Sequence, residues 1–464
     1  MSSGYRIRCV AGFVPRAHLP FGARTLYRGE MKKRTSSRPS WLRIPQGDLF
    51  ADHDIRLLFG AQGVSMLGSQ VSNIAIPLIA IDVIHASDGG VALIEGAFLL
   101  SYVLFSLPVG ALLDRRTRRP VLIAMDLARM GLLLALPVSY ALGALSMWLL
   151  YIVAFFLGFG SLIYDVAHQS YLPALLKGPR LAAANSRLMV LDSAASITGP
   201  SIAGIAVGRF GGPFAIILDS LSYLASALLL RRVRHIEVPP ARADHHAPRV
   251  SLRSEMREGL AWVLGHPHLR GNALAALAMN FFAGIANGGV MIAYARRELL
   301  LPAELIGIIL GAGVIGLILG SLSSARIAAR IGVGRSIIVG AAILPIFPLV
   351  LALLNTGIGS AGIALIAIGG QIVAYFGAAL FHSNQITYRQ LITPKRLLGR
   401  MNASMKWVML LGMPLGTVVG ALIADAAGLR AALFAGAIGI IFGPLPLFFS
   451  GIAAVKRQPS HTIE

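Results

Sequence analysis

The chain has 464 residues, 56% of them hydrophobic and 13% charged, with a mean hydropathy of +0.73. An ordinary soluble domain carries about 25% charged residues, so a water-facing globule is excluded and lipid must cover much of the surface. The net charge of +21 would suit nucleic acid, but the basic residues stand in short clusters between apolar runs, and no basic, aromatic-rich domain is present; the single Cys9 excludes a disulfide framework within the chain.

Residues 1–50 form a basic tail in which Glu30 opposes ten basic residues among positions 6–43. It lacks the continuous apolar core of a secretory signal and is expected to be a disordered cytoplasmic segment, with Met31 an alternative start. Six apolar runs follow, at 56–83, 90–113, 119–142, 145–167, 186–208 and 213–232. After a polar stretch at 233–268, six more follow, at 270–295, 303–324, 336–354, 359–384, 403–424 and 430–452. Each is near the roughly 20 residues a spanning helix needs. The predicted organisation is therefore all-α: twelve transmembrane helices in two six-helix bundles, 51–232 and 269–454, joined by a cytoplasmic linker at 233–268 and ending in a cytoplasmic tail at 455–464.

Charge sets the expected orientation. With both termini inside, the outer loops hold only Arg209, Arg296, Arg297 and Arg430, four of the 41 Lys and Arg residues, while the inner loops carry clusters such as Arg115, Arg116, Arg118 and Arg119. In the linker, Leu252, Met256, Leu260 and Val263 fall on one helical face and predict an amphipathic surface helix. His245 and His246 read as solvated filler, not metal ligands.

The halves repeat. Asn185 and Asn402 match in similar inner loops, 217 positions apart, and the first and seventh spans begin near Arg56 and Arg270, 214 apart. Internal repeats are how many secondary transporters build alternating access.

Between the second and third spans stands G-A-L-L-D-R-R-T-R-R-P. Gly110, Asp114, Arg115, Arg118 and Arg119 resemble the loop motif of the major facilitator superfamily, with Thr117 where that motif has a second glycine. The resemblance implies that Asp114 faces the inner end of the eleventh helix and that Arg118 pairs with an acid at the inner end of the fourth, where Asp165 sits. In the fifth span, Gly199, Pro200 and Gly204 resemble the Gly-Pro motif of antiporters, with Ala195 and Ala203 in place of glycines; close packing alone would also account for them. The strings Tyr164–Pro173, Arg180–Ser186 and Leu397–Ser404 are similar to the subgroup containing the enterobactin exporter and macrolide efflux proteins, the transmembrane secretion effectors. That resemblance implies export driven by proton entry in a bacterial inner membrane.

Charges inside spans are costly and default to functional candidates. Asp126 lies roughly 10 Å into its span at 1.5 Å per residue, and Arg129 three residues on can pair with it; a static ion pair and a proton site both fit. Asp192 could pair with Arg187 or stay hydrated, and Glu95 and Asp219 lie near outer ends where water could reach them; with Asp126 and Arg129, all three are also candidates for proton coupling. Gln62, Ser65, Ser69 and Asn73 form a polar stripe on the first span, answered by Asn280 and Asn287 on the seventh and by Gln371, Tyr375 and His382 on the tenth. In the superfamily these spans line the central cavity, so these groups become candidates for holding a bulky amphipathic solute, with interhelical hydrogen bonding as the alternative. No phosphate-binding G-K-[ST] loop, H-E-x-x-H or nucleophile elbow occurs, so neither an enzyme nor direct ATP drive is expected. The expected partners are a small-molecule substrate, protons and the bilayer, with no cofactor or metal and no nucleic acid, and the chain is expected to act as a monomer. An importer or facilitator of the same fold, or a receptor that does not transport, would share these features.

Overall fold

The computed structural model describes residues 49–455 apart from 51, 114–115, 236 and 238–251. The described residues are helical throughout, without strands, and contain twelve helices long and apolar enough to cross a membrane. Spans 1 to 6 are His53–Asp82, Asp88–Ser106, Arg118–Ala141, Met147–Leu175, Arg180–Phe210 and Gly212–Arg232. Spans 7 to 12 are Pro267–Arg297, Ala303–Ile331, Val333–Leu353, Thr356–Leu391, Leu398–Ala427 and Leu429–Phe449. Large apolar side chains such as Trp148, Leu322 and Phe449 are exposed on the bundle's outside, which lipid accommodates and water does not.

Several helices outrun their apolar runs. Span 4 continues to Leu175, past the predicted end at 167, and span 10 to Leu391, past 384. Hydropathy sees only the part in hydrocarbon; beyond it, polar residues continue the helix. Three spans are broken. In span 7 the helix stops at Ala286 and restarts at Gly289, and Gly288 between them takes φ 61°, which a side chain would strain. Spans 9 and 12 are interrupted at Pro345 and Pro444, where the ring removes an N–H from the helical ladder. The linker contains a helix, Leu252–Gly265; Val263 is fully buried and Leu260 half-buried, while the side chains of Leu252 and Met256, like the N-terminal tail and His245 and His246, lie outside the described residues.

The halves share one plan. In the first, span 1 packs on spans 5 and 6, span 2 on span 4, and span 3 on spans 4 and 6; in the second, span 7 packs on spans 11 and 12 and span 8 on span 10. The halves meet along two seams, span 2 with span 11 and span 5 with span 8, which exchange under the repeat. The backbone carries the repeat further. His85 and Leu300, the two non-glycine residues with positive φ among those described, stand 215 positions apart at equivalent turns, with φ of 54° and 52°. Gly211 and Gly428, 217 apart, both precede a sixth-position span at φ 75° and 91°.

One end of the bundle gathers the basic loops around Arg118 and Arg180. At the opposite, far end the halves are tied together. Arg296 donates to Asp82 at 3.0 Å, Arg297 pairs with Asp88, and the backbone N–H of Gly89 donates to Asp425 at 2.7 Å. Small residues let the seams close there. A Cβ on Gly307 would stand 2.2 Å from the Pro200 carbonyl oxygen, and one on Gly204 would stand 2.5 Å from that of Ala303.

Candidate functional site

Between the halves lies a cavity of about 660 Å³, within the range of small-molecule sites. Its two walls differ. Spans 1, 2, 4 and 6 contribute Ser69, Gln70, Ser72, Asn73, Glu95, Ser161, Asp219 and Tyr223, whereas spans 7, 8 and 10 contribute chiefly Met291, Ile292, Leu310, Val314 and Leu317, with Tyr375 as their polar side chain.

A buried polar network backs the first wall. Asp126 and Arg129 are both buried, and Arg129 donates to Asp126 Oδ1 at 2.6 Å. The other oxygen, Oδ2, accepts from Ser226 at 2.7 Å. The guanidinium lies between two rings, 4.5 Å from the centroid of Tyr164 and 4.2 Å from that of Tyr223. A cation desolvated this way gains from both faces as well as from its ion pair. Tyr223 turns its hydroxyl to Ser69 at 2.9 Å. Asp219 is also fully buried, accepting from Ser72 on span 1 and from Ser222 at 3.0 Å. It is therefore buried at the cavity's edge and held by two hydroxyls, where the sequence also left a wetted outer end open.

Glu95 is likewise not at a wet end but in the cavity wall. It makes no hydrogen bond or ion pair among the described residues. Its carboxylate crosses to the other half and lies against the break in span 7, so close that a Cβ on Gly288 would stand 1.2 Å from Oε2.

Of the expected cavity residues, Ser69, Asn73 and Tyr375 line it, together with Glu95 and Asp219. The others do not. Gln62 and Ser65 are buried about one to two turns nearer the basic end than Ser69. Asn280 turns back to the carbonyl of Ala276 at 2.8 Å, Asn287 terminates the first helix of span 7, and Gln371 is buried against Gly313. His382 is exposed, packing edge-on to Phe381, and Asp192 is exposed as well. A 30-residue helix shows a different face to the cavity at each level, so a stripe read from spacing reaches it over only one or two turns.

The loop motif differs from its expected pairing. Arg118 does not reach Asp165, which instead accepts from Tyr102 on span 2 at 3.0 Å. Arg118 pairs at 3.4 Å with Glu237, just after span 6, and Glu237 also takes the backbone N–H groups of Arg118 at 2.5 Å and Arg119 at 3.2 Å. A carboxylate at a helix N-terminus satisfies unpaired donors and complements the dipole, which a position on span 4 could not do. Arg119 caps the other helix, donating to the carbonyls of Leu230 at 3.0 Å and Arg231 at 2.5 Å. Gly110 has open space around it, and Asp114 and Arg115 lie outside the described residues. Gly199 admits the side chain of Gln70, while Pro200 and Gly204 lie on the span 5–span 8 seam, so all three serve close packing.

Sequence reading missed Ser72, Tyr164, Ser222, Tyr223 and Ser226. A signal was present, since Asp219, Ser222, Tyr223 and Ser226 stand at i, i+3, i+4 and i+7, the pattern of one helix face.

Twelve spans in two repeated halves around a central cavity define a multi-pass membrane transporter of the major facilitator fold. A family profile described as transmembrane secretion effector matches residues 49–462, and the chain belongs to that family. It is 28% identical over 250 residues to the uncharacterized transporter YkuC of Bacillus subtilis, covering 52% of this chain and 56% of that relative, so the chain spans little more than half of YkuC's length. A second B. subtilis transporter, YfiS, is 24% identical and covers 86% of this chain and 94% of its own. Macrolide efflux protein A of Streptococcus pyogenes is 24% identical, covering 44% of this chain and 49% of its own. Among solved structures, a bacterial homologue of the iron transporter ferroportin in its inward-facing state is 16% identical, with a TM-score of 0.68 over 85% of this chain and 98% of its own. A bacterial homologue of ferroportin in an outward-facing state with soaked iron is 16% identical, with a TM-score of 0.54 over 85% of this chain and 98% of its own. These relatives are transporters, not enzymes.

Proposed function

We propose that the chain is a proton-coupled exporter of a bulky amphipathic small molecule, a drug, macrolide or siderophore, working by alternating access in a bacterial inner membrane with both termini in the cytoplasm. The observation that carries this reading is the central cavity, whose acidic, hydroxyl-rich wall faces an apolar one. Seams tied at the far end fit an inward-facing arrangement, as does the higher TM-score with the inward-facing neighbour. The name of the S. pyogenes relative supports the efflux direction. Entry of a proton to Asp219 would weaken its charge-assisted bond from the Ser72 hydroxyl and loosen span 1 from span 6, a local change that the opposite movement of substrate can use.

Inside-out membrane vesicles acidified internally test the reading. Ethidium, a permanent cation that an acidic lumen does not trap by protonation, should accumulate against its gradient and leave when nigericin collapses the pH difference. Equilibration to equal concentrations, indifferent to pH, would show a facilitator instead. Labelling of either terminus from outside intact cells would overturn the orientation.

A further inference from the structure

The geometry points to Glu95 as the counter-ion for a positively charged nitrogen on the cargo, which makes the substrate class amphipathic organic monocations. The inference rests on the reading that the central cavity is the substrate site. Two acids line that cavity, and no Lys, Arg or His does so among the described lining residues. The two acids differ in what they hold. Asp219 is engaged by the hydroxyls of Ser72 and Ser222, whereas Glu95 has neither a hydrogen bond nor an ion pair among the described residues. The cation nearby, Arg129, is committed to Asp126 behind the Tyr223 ring. A carboxylate left unmatched in this wall is costly to keep ionised, so it either takes a proton or draws in a group of opposite charge.

The surroundings describe that partner. One turn along span 2, Phe98 shares the cavity wall, and Tyr375 faces it from the other half; aromatic faces favour a desolvated organic cation. The rest of the second wall is aliphatic and thioether, which suits an apolar body around the charge. A bare divalent ion needs several converging oxygen or nitrogen ligands, and no three His, Cys, Asp or Glu converge among the described residues. Glu95 reaches from span 2 to the Gly288 break in span 7, so a cation bound there touches both halves and can report its arrival to the seam.

Two probes of related shape separate charge from grease: radiolabelled tetraphenylphosphonium, a permanent monocation, and neutral triphenylphosphine oxide. Binding to the full-length protein in nanodiscs at constant pH, without a gradient, should be about tenfold tighter for the cation, the factor corresponding to about 1.4 kcal/mol. Glu95→Gln should erase that preference while changing the affinity for the neutral probe less than about twofold, and Glu95→Asp should retain part of it. Retained neutral-probe binding also reports a folded cavity. Cation preference unchanged in Glu95→Gln, equal loss for both probes, or no cation binding by the wild type would each overturn the inference. Because the assay carries no pH gradient, it is separate from the export reading. Glu95-dependent cation binding without gradient-driven accumulation would refute the export reading alone, and gradient-driven export of a neutral solute untouched by Glu95→Gln would refute the counter-ion alone.

Discussion

The two halves follow the same backbone plan and use their polar residues in opposite ways. In the first, polar side chains converge on the cavity, from Ser69 and Asn73 on span 1 to Glu95, Asp219 and Tyr223, with the Asp126–Arg129 pair behind them. In the second, they are spent between helices: Asn384 donates to Ser324 at 2.9 Å and Gln385 to Asn272 at 2.5 Å. A duplicated scaffold thus separates chemistry from framework. One copy places its charges at the cavity, and the other supplies an apolar wall opposite them.

The largest expected effect tests that division directly. Arg129→Ala leaves Asp126 buried without its cation and should cost about 3–5 kcal/mol of stability. Asn384→Ala, the corresponding break in the second half, should cost about 0.6 kcal/mol, typical of a hydrogen bond between membrane helices. Unfolding in mixed micelles measures both, and similar costs would erase the contrast. Next comes the seam. Gly307→Ala puts a Cβ 2.2 Å from the Pro200 carbonyl oxygen, and overpacking of this kind costs about 1–3 kcal/mol. Cysteines placed at the far end should become more accessible to a membrane-impermeant maleimide, and unchanged labelling would mean that this seam does not hold the halves closed.

His85→Gly and Leu300→Gly should each stabilise the protein by about 1 kcal/mol, since a left-handed conformation costs a side chain about that much and the two turns are equivalent. A gain at one site and a loss at the other would break the symmetry at the backbone level. The smallest effect belongs to the far-end ion pairs. Arg296 and Asp82 are 34% and 40% exposed, and exposed pairs contribute about 0–1 kcal/mol. Arg296→Gln should therefore change melting by little while raising far-end maleimide labelling slightly at low salt.

The fold was legible because hydrocarbon imposes a coarse requirement, a long apolar helix, that composition alone displays. All twelve spans could be read this way, and the charge clusters marked one end of the bundle. The site was less legible. Whether Asp219 is wet or buried depends on what span 1 places opposite it, here Ser72, and spacing within one helix carries no information about another. The same holds for Arg118. Its partner was sought in span 4 at Asp165, but the acid that serves it follows span 6 in the chain and is drawn in by unpaired N–H groups at a helix start. Asp126 and Arg129 could be paired from sequence because both lie on one helix.

Glu237 also bears on how the chain is held together. It fastens the start of the connection to the first half, helped by Asp54, which accepts from the backbone of Arg234 at 2.9 Å and His235 at 2.8 Å. Farther on, Glu258 anchors the linker helix to Arg400 of the second half. Each half thus keeps its own piece of the crossing strand. A gene cut between those two anchor points would yield a pair of polypeptides, each with its end already tied down, able to find one another in the bilayer without a covalent bridge.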